Sequence, residues 1–351
     1  MREAATTPEP TPVVAVRAHS VLGVRLAGFA AAVAVLVLVV LVSLAVGVKS
    51  IPLGTVLDAV LHGRGGGDRD VIVDLRLPRT LLGVAAGAAL AAAGVLMQAL
   101  TRNPLADPGI LGVNAGAAFA VVVSIWIWRF ADFTAYVWFA FAGAGIASIL
   151  VYLLGSRGRS GATPVRLALA GTAVSAVLGA LISFITLLEP KVFDQFRFWG
   201  VGSLTGADRG VVWQVLPFLA AGSLLALGLS GALNALALGD ETARGLGSRI
   251  GRTRVLGAVA VTLLCGAATA AVGPIAFVGL TVPHIARAVT GPDHRWVTPY
   301  SLVLGPILLL GGDIVGRLVA RPAEVQAGIV TAFVGAPVFI ALVRRRRVRE
   351  L

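Results

Sequence analysis

Apolar residues run along this chain in long unbroken blocks separated by short polar joints, with neither the alternation of a half-buried strand nor the polar stripe of a helix facing water. A helix crossing a hydrocarbon core needs roughly 20 consecutive apolar residues. The pattern predicts ten membrane-spanning helices, near residues 21–48, 80–100, 109–128, 133–154, 165–188, 211–233, 255–272, 275–289, 297–312 and 328–343. Between the fifth and sixth, Lys191 to Asp208 sets Phe193, Phe196, Phe198 and Trp199 among charged and glycine positions, too polar to cross and suited to the membrane surface. The predicted class is therefore all-α integral membrane.

Composition agrees. Hydrophobic residues make up 57% of the 351 and charged residues 13%, where a soluble domain carries about 25% charged. Residues 1–20, rich in Pro, Thr and Ala, hold nothing able to bury a core and are expected to form a disordered cytoplasmic tail. The block from Val21 to Val48 is too long for a signal-peptide core and is retained as the first span. The expected organisation is a tail over 1–20, a ten-helix transmembrane domain over 21–345 and a basic cytoplasmic end over 346–351.

Several chemistries are excluded early. A single cysteine, Cys265, allows neither an intrachain disulfide nor a cysteine metal cluster. A phosphate-gripping ATPase loop needs a lysine after glycine, yet Lys49 follows Val48 and Lys191 follows Pro190. No paired carboxylates, histidine cluster or Ser/His arrangement at usable spacing suggests an enzyme, and no catalytic residue, metal ligand or cofactor is expected. The formal charge of +12 points to lipid headgroups and orientation rather than nucleic acid.

Basic loops stay in the cytoplasm. With both termini inside, Arg102, Arg157/Arg159/Arg166, Arg244/Arg249/Arg252/Arg254, Arg287/Arg295 and Arg344–Arg347 all fall on the cytoplasmic side. Arg64, Arg69, Arg76 and Arg79, and Arg317 and Arg321, fall outside and need another cause. Arg76 and Arg79 sit three apart at a helix start with Pro78 in its first turn, placing both on nearly one face. They either snorkel to headgroups or meet an acidic partner.

Two further features stand out. Asn103–Gly109 and Gly273–Gly279 share Pro, Ala and Gly at equal offsets, five spans apart, which is either an inverted internal repeat or a chance recurrence of tight joints. The segment Ala237–Gly247 reads as a short helix capped by Asp240, with Glu241 near its positive end and Gly245 and Gly247 stopping it. It is either a simple turn or a knob for a partner's cleft. Carboxylates are absent at mid-depth from spans one to seven, and Asp313 and Glu324 are expected to flank the loop after span nine. His284, after Pro283, is expected to be a packed side chain.

Leu75–Thr80 (LRLPRT), Met97–Val113 (MQALTRNPLADPGILGV), Ala237–Gly247, Gly279–His284 (GLTVPH) and Gly335–Phe339 (GAPVF) resemble the motifs of the FecCD family, in its order and across about residues 21–345. These are permease subunits of type II ABC importers for ferric siderophores, haem and cobalamin. The resemblance implies a ten-span subunit of a bacterial cell membrane, paired with a second identical or homologous permease, two separate ATPase subunits and an extracytoplasmic substrate-binding protein, with a path along the dimer axis. It implies that Arg76, Arg79 and Arg317 dock the binding protein. Asp240, Glu241, Ala243, Arg244, Gly245 and Leu246 would form the helix seated in the ATPase, and Thr163, Pro164 and Val165 the cytoplasmic gate. The expected function is ATP-driven import of a ferric siderophore. Cobalamin or haem is the alternative cargo, and an ion-coupled secondary carrier the alternative of another class.

Overall fold

The computed structural model describes residues 18–63, 66–128, 133–156, 164–206 and 208–346. Residues 1–17 of the expected tail and all but Arg346 of the basic end lie outside them. No strand occurs among the described residues. In chain order the helices are α1 (Ala18–Ala45), α2 (Leu53–His62), a single turn α3 (Gly67–Asp70), and α4 (Leu77–Thr101), entered without a break through a π-helical turn over Val71–Arg76. A 3-10 turn, Pro108–Leu111, precedes α5 (Val113–Trp128), α6 (Phe133–Ser156), α7 (Pro164–Leu188), α8 (Pro190–Gly200) and α9 (Arg209–Ala237). The chain then forms α10 (Asp240–Gly245), α11 (Ile250–Val272), α12 (Val278–Thr290), α13 (His294–Val319) and α14 (Ala327–Arg346).

Each of the ten predicted runs coincides with one long helix: α1, α4, α5, α6, α7, α9, α11, α12, α13 or α14. Seven are long and apolar enough to cross a membrane unaided, while α5, α12 and the apolar part of α14 are shorter. The shortfall has a local cause in α5 and α12. Each follows one of the two Pro/Gly joints, where non-helical backbone replaces the missing turns. Asn103 to Leu105 of the first joint are exposed, while Ala106 and Pro108 there and Gly273 and Ile275 of the second are packed inside protein, the condition under which a bilayer tolerates such backbone. In the second joint Gly273 has φ +74°, and a Cβ there would lie 2.1 Å from the Trp199 carbonyl oxygen. Only glycine fits.

The bundle is built around α4, whose apolar window is 78% buried against 6% for α1. Small residues let neighbouring backbones close on it. Gly87 faces the backbone of Gly305 and Pro306 in α13, and a Cβ on Gly94 would sit 1.8 Å from the carbonyl oxygen of Gly279 in α12. Packing partners also recur between the halves: α4 lies against α13 as α11 lies against α6, and the α5, α6, α7 neighbourhood is echoed by α12, α13, α14. The predicted surface segment is α8, with Val192 and Trp199 turned inward and Phe193 and Phe198 exposed.

Span one ends three residues earlier than predicted, at Ala45. The 49–79 stretch, between the first two predicted spans, contains α2, whose Val56 and Ala59 pack with Leu44, Ile51 and Ile72 as a small separate core.

Candidate functional site

Two charged clusters stand at opposite ends of α4. The last carbonyls of any helix lack partners within it, and at the C-terminus of α1 two arginines, Arg76 of the π-helical turn and Arg317 of α13, meet that need. Arg317 Nη1 donates to the carbonyls of Ser43 (2.9 Å) and Val46 (2.7 Å), and Arg76 Nη1 to those of Leu44 and Ala45 (2.8 Å each). Arg76 also donates to the Lys49 carbonyl. Gly47 makes room: a Cβ there would lie 2.7 Å from Arg76 Nη2. These cations also face the negative end of the helix dipole.

Arg317 is also paired from the other side, and Arg79 joins it there. Arg317 Nη2 reaches Asp313 (2.9 Å) and donates to Ser43 Oγ (2.8 Å). Arg79 forks between Asp313 (2.7 Å) and Glu324 (2.8 Å). Ser43 Oγ and Thr80 Oγ1, 2.9 Å apart, add a tie between α1 and α4. Arg76 and Arg317 are buried, and the Arg79 side chain is 13% exposed. Arg79 is therefore only slightly exposed and doubly paired, and Arg76 and Arg317 lie inside. Arg76 and Arg317 terminate α1, a structural cause for their positions that is independent of orientation. Asp313 also differs from its expected place beside a loop: α13 runs on to Val319, so this carboxylate lies within the helix and is fully buried.

About 37 Å away along α4, at 1.5 Å per residue, Arg102 takes a left-handed conformation (φ +50°) as the helix ends. Its Nε donates to the Leu236 carbonyl (3.0 Å) and its Nη2 pairs with Asp240. Arg254 Nη2 holds the other oxygen of Asp240 at 3.0 Å. Burial works against the charged form, but Arg254 and Arg102 prevail and hold the Asp240 carboxyl below the usual carboxylate range. Asp240 was expected to cap α10. Instead Gly239 occupies the cap with no side-chain bond, and Asp240 is the first helical residue, its oxygens taken by arginines.

Gly245 stays within α10. The stop is Gly247, at φ +78°, with Gly247 N–H donating to the Arg244 carbonyl and Ser248 N–H to that of Ala243 (2.9 Å each), a Schellman closure. Ala243 is buried against Leu236 and Ile250. Glu241, Arg244, Gly245 and Leu246 are exposed, Leu246 at 65%. Of the six residues assigned to a coupling helix, one thus anchors through charge, one packs, and four face outward.

Thr163 of the expected gate lies outside the described residues, as does the Pro164 side chain. Pro164 opens α7, and Val165 is exposed. His284 is packed as expected, its Nδ1 2.8 Å from the Leu280 carbonyl oxygen and its ring edge-on to Phe339. No group of three or more His, Cys, Asp or Glu able to hold a metal exists among the described residues. Sequence reasoning missed Asp313, Ser43, Arg102 and Arg254 as site members. Ser43, Arg102 and Arg254 meet their partners across the fold, which no local spacing signals, whereas Asp313 lies four residues before Arg317 on one helix, a spacing that does signal that pair.

A bundle of membrane-length helices whose charged ends are internally paired and joined by one central helix has the build of a membrane transport protein. The chain belongs to the FecCD transport family, whose model matches residues 35–345. It is 51% identical to the ferric enterobactin transport system permease protein FepD of Escherichia coli (strain K12), over 89% of this chain and 93% of that one. It is 42% identical to the probable siderophore transport system permease protein YfiZ of Bacillus subtilis (strain 168), over 83% and 87%. Among solved structures it resembles a metal-chelate type ABC transporter in an inward-facing conformation, with TM-score 0.79 and 28% identity over 93% of this chain and 99% of that one.

Proposed function

We propose that the chain is the membrane permease subunit of an ABC importer that carries ferric siderophores inward, acting with a second identical or homologous permease, two ATPase subunits and an extracytoplasmic binding protein. The cargo follows the relatives that transport ferric enterobactin and other siderophores. The observation that carries the mechanism is α4 itself, bonded to the arginine cluster at one end and to Asp240 of α10 at the other. A push on α10 is thereby delivered to the end where cargo is received.

In this reading both termini and α10 are cytoplasmic, in keeping with the arginines gathered on that side. The exposed Glu241, Arg244, Gly245 and Leu246 enter the ATPase. Thr163, Pro164 and Val165 form the inner gate. The binding protein docks over Arg79, while Arg76 and Arg317 support that surface from beneath by fixing α1. Ten spans and an inverted repeat complete the architecture, with the path along the axis of the permease pair.

Cobalamin is the alternative cargo, since a cobalamin import permease of Halobacterium salinarum is 39% identical over 80% of this chain. An ion-coupled carrier needs a buried group free to change charge, and the buried Asp313 is instead clamped between Arg79 and Arg317. Proteoliposomes containing the permease, its ATPase and its binding protein distinguish these readings. ATP inside the compartment where α10 lies is expected to drive ferric siderophore uptake. Uptake by an imposed proton gradient with a non-hydrolysable nucleotide would overturn the proposal, and preference for cobalamin would change the cargo. Arg79→Glu is expected to weaken docking of the binding protein; unchanged affinity removes Arg79 from the docking surface.

A further inference from the structure

An apolar groove of about 350 Å³ runs down the outside of the bundle between α6 and α11. Gly145, Ser148 and Tyr152 on one helix, and Val255, Val259 and Leu263 on the other, follow single helical stripes along it. From Val255 to Leu263 the stripe is about 12 Å long, close to half of a roughly 30 Å hydrocarbon core, one leaflet. At the Tyr152 end the groove continues into a smaller cleft that adds Thr101 and Arg254 to its walls. One turn into the groove from Tyr152, Ser148 Oγ is buried without a hydrogen-bond partner.

We infer that this groove is a specific site for an anionic phospholipid of the leaflet nearest α10. One acyl chain fills the apolar slot and the headgroup phosphate meets Arg254. Ser148 Oγ, a turn deeper, lies where a glycerol ester carbonyl can accept its hydrogen bond. Three observations select this occupant: a slot one leaflet deep, a cation at its headgroup end, and a donor below it. Charge favours an acidic headgroup, for Arg244, Arg249, Arg252 and Arg254 face only Asp240 and Glu241 as acids in this segment. Arg254 is also one of the two arginines holding Asp240, so a bound phosphate shares the guanidinium that seats α10. That last consequence rests on the coupling role proposed above; the site itself does not.

The full-length permease in phosphatidylcholine nanodiscs doped with phosphatidylglycerol carrying a diazirine in its acyl chain provides the test, with adducts mapped by mass spectrometry. Adducts are expected to concentrate at residues 145–153 and 255–263, with about fivefold preference for the anionic probe over the same diazirine on phosphatidylcholine. Arg254→Ala is expected to erase the headgroup preference and Arg254→Lys to keep it. Gly145→Leu is expected to deplete adducts at this site alone; a Cβ at Gly145 meets nothing within 4 Å, so the variant fills the groove without disturbing the fold. Uniform labelling around the bundle without headgroup preference would reduce the contact to ordinary boundary lipid and overturn the inference. Chain-to-chain crosslinks replacing lipid adducts in the groove would overturn it in favour of a second copy as occupant.

Discussion

Arg317 closes the end of α1 with one nitrogen and neutralises Asp313 with the other, so its removal opens two unsatisfied carbonyls and loosens a buried carboxylate together. Breaking such a buried pair costs about 3–5 kcal/mol. Arg317→Met is therefore expected to lower the thermal unfolding midpoint of the detergent-solubilised protein by many degrees. Arg317→Lys is not expected to restore it, because a single ammonium cannot reproduce a planar fork spanning two carbonyls, a hydroxyl and a carboxylate. Gly47→Leu tests the same clamp from its other side: the new Cβ meets the Arg76 guanidinium at 2.7 Å. A loss of about 1–3 kcal/mol is expected. An unchanged midpoint in either variant would remove the clamp from the account of α1. The motif around Arg76 and Arg79 was legible in the sequence, but its chemistry was not. An arginine near a membrane surface has the same spacing whether it faces headgroups, a partner or the end of a helix 30 residues earlier.

At the scale of the element, α10 is too short to be stable alone, and its position is set by Asp240 and Ala243. Because the Asp240 carboxyl lies below the usual range when folded, its contribution is complete above the unfolded value of about 3.9 and fades as pH falls through the lower folded value. Amide exchange of residues 240–245, compared with α11, is accordingly expected to stay flat between about pH 5 and 8 and to rise only under acid. Asp240→Asn should produce the fast exchange at neutral pH; no difference between variant and parent would show that the arginines do not seat the helix. Leu246→Asp separates the exposed face from the packed one: it is expected to uncouple ATP hydrolysis from uptake while leaving the unfolding midpoint unchanged. Ala243→Trp is expected to fail earlier, through overpacking against Leu236 and Ile250. Sequence located the helix and named Gly245 and Gly247 together as its stop, of which only Gly247 serves; it did not separate the exposed residues from the packed Ala243. It misplaced Asp240 as a cap because capping is a local rule, and two arginines distant in sequence took the carboxylate first.

For the whole molecule, close backbone packing of glycines holds α12 and α13 against α4. Gly94→Leu drives a side chain into the Gly279 backbone and is expected to abolish a monodisperse peak in size-exclusion chromatography, whereas Gly228→Leu, with nothing within 4 Å of its Cβ, leaves the peak intact. Similar behaviour of the two variants would refute a glycine-dependent core. The apolar blocks alone located every long helix, since crossing a hydrocarbon core demands length and apolarity whatever the neighbours, and the motif order identified the family before any contact was known. What tertiary structure alone decided is which charges are buried and whom they meet. Arg317 with the carbonyls of α1, Arg79 with Asp313 and Glu324, and Arg102 with Asp240 are pairs up to 274 residues apart. Hydropathy and local spacing act over a few turns, while such pairing is set by the helix arrangement that brings the ends together.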